Sequence, residues 1–271
     1  MRKIFNRLYD EDPYEGAPLD DVEVDMQGWG STHFFFREII GYLKPSFIVE
    51  VGSWKGRSAL HMADLAKAAE TPNLEICCID TWLGSPGVWA RKEQVADVLK
   101  LRNGWPMLYF TFMKNVVESG HQDVITPMPM PSDMGAQVLK RLRARPDMIY
   151  VDAAHDYDNC KRDLALYFDL LSDDGILLGD DYETWPGVTQ AADEFARENG
   201  LILVGTRSKF VLSKNIDHVH AMQGVLAEIE ARRARVAEAK ARAEQLRAGD
   251  EAPGDAVGQS TSETDDTNPV L

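Results

Sequence analysis

Three scarcities in this chain of 271 residues each remove a class of protein. Cysteine occurs only at 77, 78 and 160. An odd number with two neighbours adjacent cannot make a disulfide framework, so reduced and buried thiols are expected. Basic residues are outnumbered, 29 Lys and Arg against 44 Asp and Glu, for a formal net charge of −15. A nucleic-acid backbone would be repelled, and the one basic cluster, near Arg232, is short, so no nucleic-acid partner is expected. Long apolar runs are missing as well. Nothing is long enough to span a membrane, and "MRKIFNRLYDEDPYEG" at the start has no apolar core of signal-peptide length. These two absences predict a soluble, cytoplasmic protein without membrane association.

What remains is rich enough in apolar residues, 44%, to bury a full core. Short β-branched runs alternate with helical spacings. Residues 47–51 (FIVEV), 74–79, 124–130, 148–151 and 176–178 read as strands, with helices over 32–43, the segment GRSALHMADLAKAAE, DMGAQVLKRLRA and 188–199. Leu164, Tyr167, Phe168 and Leu171 recur at three and four residues, one buried helical stripe. The stretch 82–122 is less regular, though MLYFTFMKNVVES has helical spacing. LILVGTR and KFVLSK lie too close for a crossover helix, with Ser208 at the turn, and must pair antiparallel. The fold class predicted is α/β: a doubly wound, Rossmann-like sheet with a terminal antiparallel strand, plus a C-terminal helix.

Around this domain, 31–215, composition shifts. Residues 1–30 are acidic and irregular. Residues 216–249 are Ala/Glu/Arg-rich and helical, and Met222, Ile229 and Val236 repeat every seven residues with Val225 between. That spacing offers either a short coiled coil through which copies self-associate or an ordinary helix with one packed stripe. Residues 250–271 are polar and acidic, the composition of disorder.

Ligands bind doubly wound sheets at the carboxyl ends of the strands. After the first strand stands "VEVGSWKGRSAL", in which Gly52 and Gly56 flank a turn and residues 53–57 offer amides near a helix start. A phosphate-binding loop would need Gly-Lys-Ser/Thr, and a dinucleotide fingerprint a third glycine; both are lacking. A turn that binds a nucleoside without phosphate remains, as does a purely structural turn. Asp80, ending the second strand in "CCIDTW", is placed to accept from ribose hydroxyls, or to form a turn.

Two later strands also finish in carboxylates, "MIYVDAAHDYDNC" and "GILLGDDY". Asp156 and Asp158 suit the N-cap of the helix that follows. Asp152, Asp180 and Asp181 would converge where the two strands lie side by side. Three negative charges so close demand something positive, either a hard divalent cation such as Mg²⁺ or a lysine or arginine. His155, three residues after Asp152, would sit at the rim as a general base.

With these residues the chain, over about 30–215, resembles the class I S-adenosylmethionine-dependent methyltransferases. It is most similar to the metal-dependent macrolide-sugar O-methyltransferases, with "VDAAHDY" and "DGILLGDDY" in place of their IDG-x-H-x-Y and GG-hydrophobic-DDY. Ala153 stands where a glycine is usual, and Asp174-Gly175 where two glycines are. The resemblance implies Mg²⁺ ligands at Asp152, Asp180 and Asp181, and a base at His155. It places the cofactor at Glu50, Gly52, Ser53, Gly56, Ser58, Asp80, Thr81, Trp82 and Asp152, with Ser132 and Asp133 near the adenine. Trp29, Trp54 and Trp82 either line the pocket or pack as core. The partner implied is a small-molecule acceptor with a hydroxyl group, such as a sugar or natural product. Two other readings stay open, an NAD-dependent oxidoreductase and a non-catalytic binding protein on the same scaffold.

Overall fold

The computed structural model describes residues 2–250, with side chains for 2–244. The acidic tail expected to be disordered lies, beyond Asp250, outside the described residues. Residues up to Val225 form one compact unit. Its strands are β1 (Phe47–Val51), β2 (Glu75–Asp80), β3 (Ile125–Pro129), β4 (Met148–Val151), β5 (Ile176–Asp180), β6 (Val204–Gly205) and β7 (Lys209–Ser213). The helices around them are α1 (Phe34–Leu43), α2 (Arg57–Ala68), α3 (Leu108–Glu118), α4 (Ser132–Arg141), α5 (Tyr157–Leu170) and α6 (Pro186–Glu198). The sheet runs β3-β2-β1-β4-β5-β7-β6, parallel through β5 and antiparallel at β7 and β6. That is the doubly wound sheet expected from the alternation of elements.

Local chemistry sets the boundaries. His33 caps α1 by accepting from the Phe35 amide at 3.3 Å, and Lys44 ends the helix in a left-handed conformation ahead of Pro45. Asp156 caps α5 through the Asn159 amide at 3.1 Å, the structural role its position suggested. Strand β6 is only two residues long, shorter than LILVGTR suggested. The turn that follows takes its partners instead: the Thr206 amide donates to Lys209 O at 2.7 Å, and the Lys209 amide to Thr206 Oγ1 at 3.2 Å.

Alternating strand residues divide between two faces. Val49, Val51, Ile79, Ile149 and Leu177 join a buried cluster with α4, α5 and α6 residues such as Leu139, Leu164 and Phe195. Glu50 and Tyr150 point the other way, Glu50 meeting Ser58 of α2 and Tyr150 the Phe36 ring of α1 at 4.9 Å. All three cysteines are free and buried.

The segment expected to be an irregular appendage is tied down along its length. The Ile4 and Phe5 amides donate to the buried Glu75 carboxylate at 3.0 and 2.8 Å, and the Tyr9 and Tyr14 hydroxyls donate to carbonyls of β3. Asn115 of α3 then clasps Asp25, donating to its carbonyl at 2.8 Å and accepting from its amide at 3.0 Å. From there the chain passes over the turn after β1 as a strap. The second unit begins at Leu226. Its helix, part of α7 (Ile216–Asp250), is exposed throughout 231–244, so Val236 of the seven-residue pattern is exposed. No helix among the described residues is long and apolar enough to cross a membrane.

Candidate active site

The turn between β1 and α2 is built by close approach of backbone to backbone. Gly52 has φ +88°, and a Cβ there would stand 1.9 Å from the Asp152 carbonyl oxygen, so the end of β4 itself demands this glycine. Gly56, φ +85°, would bring a Cβ to 2.9 Å from the Phe112 ring. Approach of a ligand was the expectation for Gly52; the Asp152 carbonyl is a further reason why this position takes no side chain.

Asp80 organises the same region. Its Oδ2 accepts from the Ser53 and Trp54 amides at 3.0 and 2.8 Å, and its Oδ1 from the Trp82 amide at 2.8 Å. Three of its roughly four acceptor directions are thus filled by backbone. Burial raises its pKa while those amides oppose the rise. Trp54 and Trp82 both adopt left-handed backbone, φ 49° and 51°, a strained choice for a bulky residue that this shared carboxylate holds in place. Trp82 is buried, donates from Nε1 to Trp54 O at 2.7 Å and packs on Phe112, which makes it core. Glu50, fully buried, accepts from Ser58 and Cys78, and burial lifts its pKa to about 7. It ties β1 to the first turn of α2. Ser132 donates to the buried Asp163 at 2.7 Å and its carbonyl accepts from Tyr167, while Asp133 accepts from the Met134 amide; Thr81 accepts from the Leu83 amide.

The ends of β4 and β5 hold the charges. Asp152, His155 and Asp181 bring one ligand atom each within 4.8 Å of one another, a set able to hold a metal ion. His155 Nε2 lies 2.8 Å from Asp181 Oδ2, and the ring stacks on Trp185 at 4.7 Å between centroids, 17° from parallel. The hydrogen bond to Asp181 raises the His155 pKa against the opposing effect of burial. Asp181 takes a left-handed φ of 62°, which an aspartate tolerates, and its amide donates to Asp180 Oδ1 at 2.9 Å. Asp180 points elsewhere, to Lys209 Nζ at 2.7 Å and to the Tyr150 hydroxyl at 2.6 Å. Tyr150 Oη lies 3.0 Å from Asp152 Oδ2 as well. Burial and the neighbouring Asp180 charge push the Asp152 pKa well above the ordinary carboxylate range. Of the three carboxylates expected to converge, two meet beside the histidine and the third pairs with a lysine.

Asp152 borders two clefts. One carries His155, Cys160, Asp180, Asp181, Val188 and Phe210; the other lies between the strap (Gln27, Trp29, Ser31) and the turn (Gly52, Ser53, Arg57). Strap and turn are joined by Lys55 Nζ, 2.6 Å from Asp25 Oδ2 and 3.0 Å from Gln27 Oε1. The exposed Trp29 ring stands 6.1 Å from that of Trp54.

Sequence reasoning missed Lys209, Tyr150, Trp185 and the strap. A signal existed for Tyr150, which shares a strand face with Asp152 two residues on. Lys209 opens an apolar strand, but its position opposite Asp180 depends on β7 entering the sheet between β5 and β6.

Residues 49–182 match the model of a family described as a methyltransferase domain. No curated protein matches the sequence. Among solved structures the chain is similar to an O-methyltransferase from Bacillus cereus in complex with SAH. The two share 12% identity over 73% of this chain and 85% of that one, with a TM-score of 0.47. For the O-methyltransferase TomG from Streptomyces achromogenes, involved in tomaymycin synthesis and in complex with SAM, identity is 14%, over 70% and 83% of the chains, with a TM-score of 0.48. An SAH-bound methyltransferase from Podospora anserina shares 20% identity over 66% and 76%, with a TM-score of 0.45. Likenesses this distant carry no assignment of acceptor or metal.

Proposed function

We propose that the chain, whose residues 49–182 match the methyltransferase-domain family, is a class I S-adenosylmethionine-dependent methyltransferase that methylates a hydroxyl of a small polar molecule with the help of a divalent cation. The observation that carries the finer part is the meeting of Asp152, Asp181 and His155 in one cleft, with Asp152 also bordering the second cleft at the glycine turn.

The residues suit both groups. The strap cleft combines the Arg57 cation, the Ser31 hydroxyl and the Asp152 carboxylate, a set complementary to the zwitterionic end of S-adenosylmethionine. Two carboxylates are hard oxygen donors appropriate to Mg²⁺ or Mn²⁺, and Asp152 and Asp181 bring an oxygen each to within 4.8 Å of the other. When bound, the cofactor supplies a methyl group already activated on a positive sulfur, and the cation supplies positive charge that makes a nearby hydroxyl more acidic.

The chain's own residues then have three tasks. Asp152 and Asp181 would hold the cation. His155, donating from Nε2 to Asp181, keeps a lone pair on Nδ1 for the acceptor's proton. Trp185 fixes the imidazole plane by stacking, which narrows the directions from which a hydroxyl can approach. Cofactor choice is tested by calorimetric titration of the full chain with S-adenosylhomocysteine and with NAD. Binding of the first alone is expected; binding of NAD alone would favour the oxidoreductase reading. Loss of transfer in EDTA, restored by Mg²⁺, tests the cation.

A further inference from the structure

Lys209 is the wholly buried cation of this centre. Its Nζ lies 2.7 Å from Asp180 Oδ2 and donates to Tyr150 Oη at 2.9 Å, beside the Tyr150 ring at 4.7 Å and the Phe36 ring at 5.1 Å. Tyr150 extends the arrangement, its hydroxyl standing 2.6 Å from Asp180 and 3.0 Å from Asp152. Gly30 of the strap closes over the pair: a Cβ placed there would be 3.4 Å from both Asp180 Oδ2 and Lys209 Nζ. A fully buried ammonium with an anionic partner and a hydroxyl is pinned by them, because leaving either would cost an unmet hydrogen bond out of water.

The charges also close. With His155 neutral and the carboxylates ionised on the cation, three carboxylates less one ammonium leave two negative charges, the amount one divalent cation answers. Without Lys209 the excess would be three, and Asp180 would be free to turn toward the same cation.

We propose that Lys209 is a positioning residue, an internal counter-ion that reserves Asp180 for itself and Tyr150 and so limits the cation's carboxylate donors to Asp152 and Asp181. This rests on the metal-assisted reading above and departs from a three-carboxylate site. Tyr150 links the two carboxylates, its one hydroxyl proton lying between the nearer Asp180 oxygen at 2.6 Å and Asp152 Oδ2 at 3.0 Å.

The test is Mn²⁺ affinity of the full chain, read by electron paramagnetic resonance without any acceptor. Lys209→Met removes the positive charge and frees Asp180, so Mn²⁺ should bind more tightly by about tenfold or more. In Lys209→Met/Asp180→Asn the freed carboxylate is gone too, and affinity should return to within about tenfold of the natural chain, against a loss beyond about a hundredfold in Asp181→Asn. Unchanged or weaker binding in a folded Lys209→Met would overturn the proposal. So would a loss in the double variant as large as in Asp181→Asn, which would make Asp180 a ligand. If Lys209→Met fails to fold, the double variant decides alone, because a buried pair neutralised on both sides is usually tolerated. A natural chain that takes up no Mn²⁺ but binds S-adenosylhomocysteine overturns the proposal and the metal reading while leaving the cofactor reading standing.

Discussion

At the ends of β1 and β2, polar groups are answered by backbone. Asp80 receives three amides, two glycines pass within van der Waals range of other chain atoms, and a strap lies across the turn. At the ends of β4 and β5, the groups are side chains and the answer is charge: an ammonium for Asp180, an imidazole for Asp181, and for Asp152 a tyrosine hydroxyl. The first region draws most of its partners from the backbone, with one ion pair, Lys55 with Asp25, joining strap and turn. The second gathers three carboxylates around one buried ammonium and one imidazole. A cofactor platform needs shape, whereas a proton-transfer centre needs charge that a substrate or cation can engage.

Substitutions should separate the two regions. The largest effect is expected from His155→Ala, which should lower kcat by about 10²–10⁴-fold with any acceptor that supports turnover. Its affinity for S-adenosylhomocysteine should stay close to that of the natural chain; a parallel loss of both would merge the two regions into one. Gly52→Ala should do the opposite, costing roughly 4 kcal/mol of stability by denaturant melting, since it meets both a left-handed φ and the Asp152 carbonyl. Wild-type-like stability there would mean that the turn yields readily.

Glu50 gives a pH-dependent comparison. Its folded pKa of about 7 stands above the ordinary 4.5. As pH rises through that interval the unfolded chain ionises Glu50 while the folded chain still holds its proton, so the group's contribution to stability is present at low pH and is lost on the way to pH 7. Glu50→Gln removes this dependence. Its stability relative to the natural chain should therefore improve by up to about 3 kcal/mol between about pH 5 and about pH 8. A pH-independent difference would show that Glu50 is ionised when buried. The smallest effect is expected from Ser132→Ala, about 1–2 kcal/mol of stability through Asp163, with cofactor affinity unchanged. A clear loss of that affinity would return Ser132 to the adenine site that family resemblance suggested.

The sheet was legible because its signals are local. β-branched runs, helical stripes and the short KFVLSK connection each constrain their own segment, and the topology rules do the rest. Asp152, His155 and Asp181 were legible because strand ends in a doubly wound sheet gather on one edge. Lys209 was not, since its pairing with Asp180 is a matter of register between strands nearly thirty residues apart in sequence. The strap escaped notice for another reason. Its acidic composition reads as solvated loop, yet Asp25, Tyr9 and Tyr14 each find a particular partner that only the folded sheet provides.

Everything catalytic depends on the two regions serving one reaction, with the cation next to the cofactor. Adding Mn²⁺ to the chain saturated with S-adenosylhomocysteine and following the ligand's proton resonances measures that adjacency directly, because the paramagnetic ion broadens only nearby nuclei. The methionine-side protons should broaden strongly, with the effect abolished in Asp181→Asn. Sharp ligand signals at an Mn²⁺ concentration that fills the site would place the cation elsewhere and separate the acidic centre from methyl transfer.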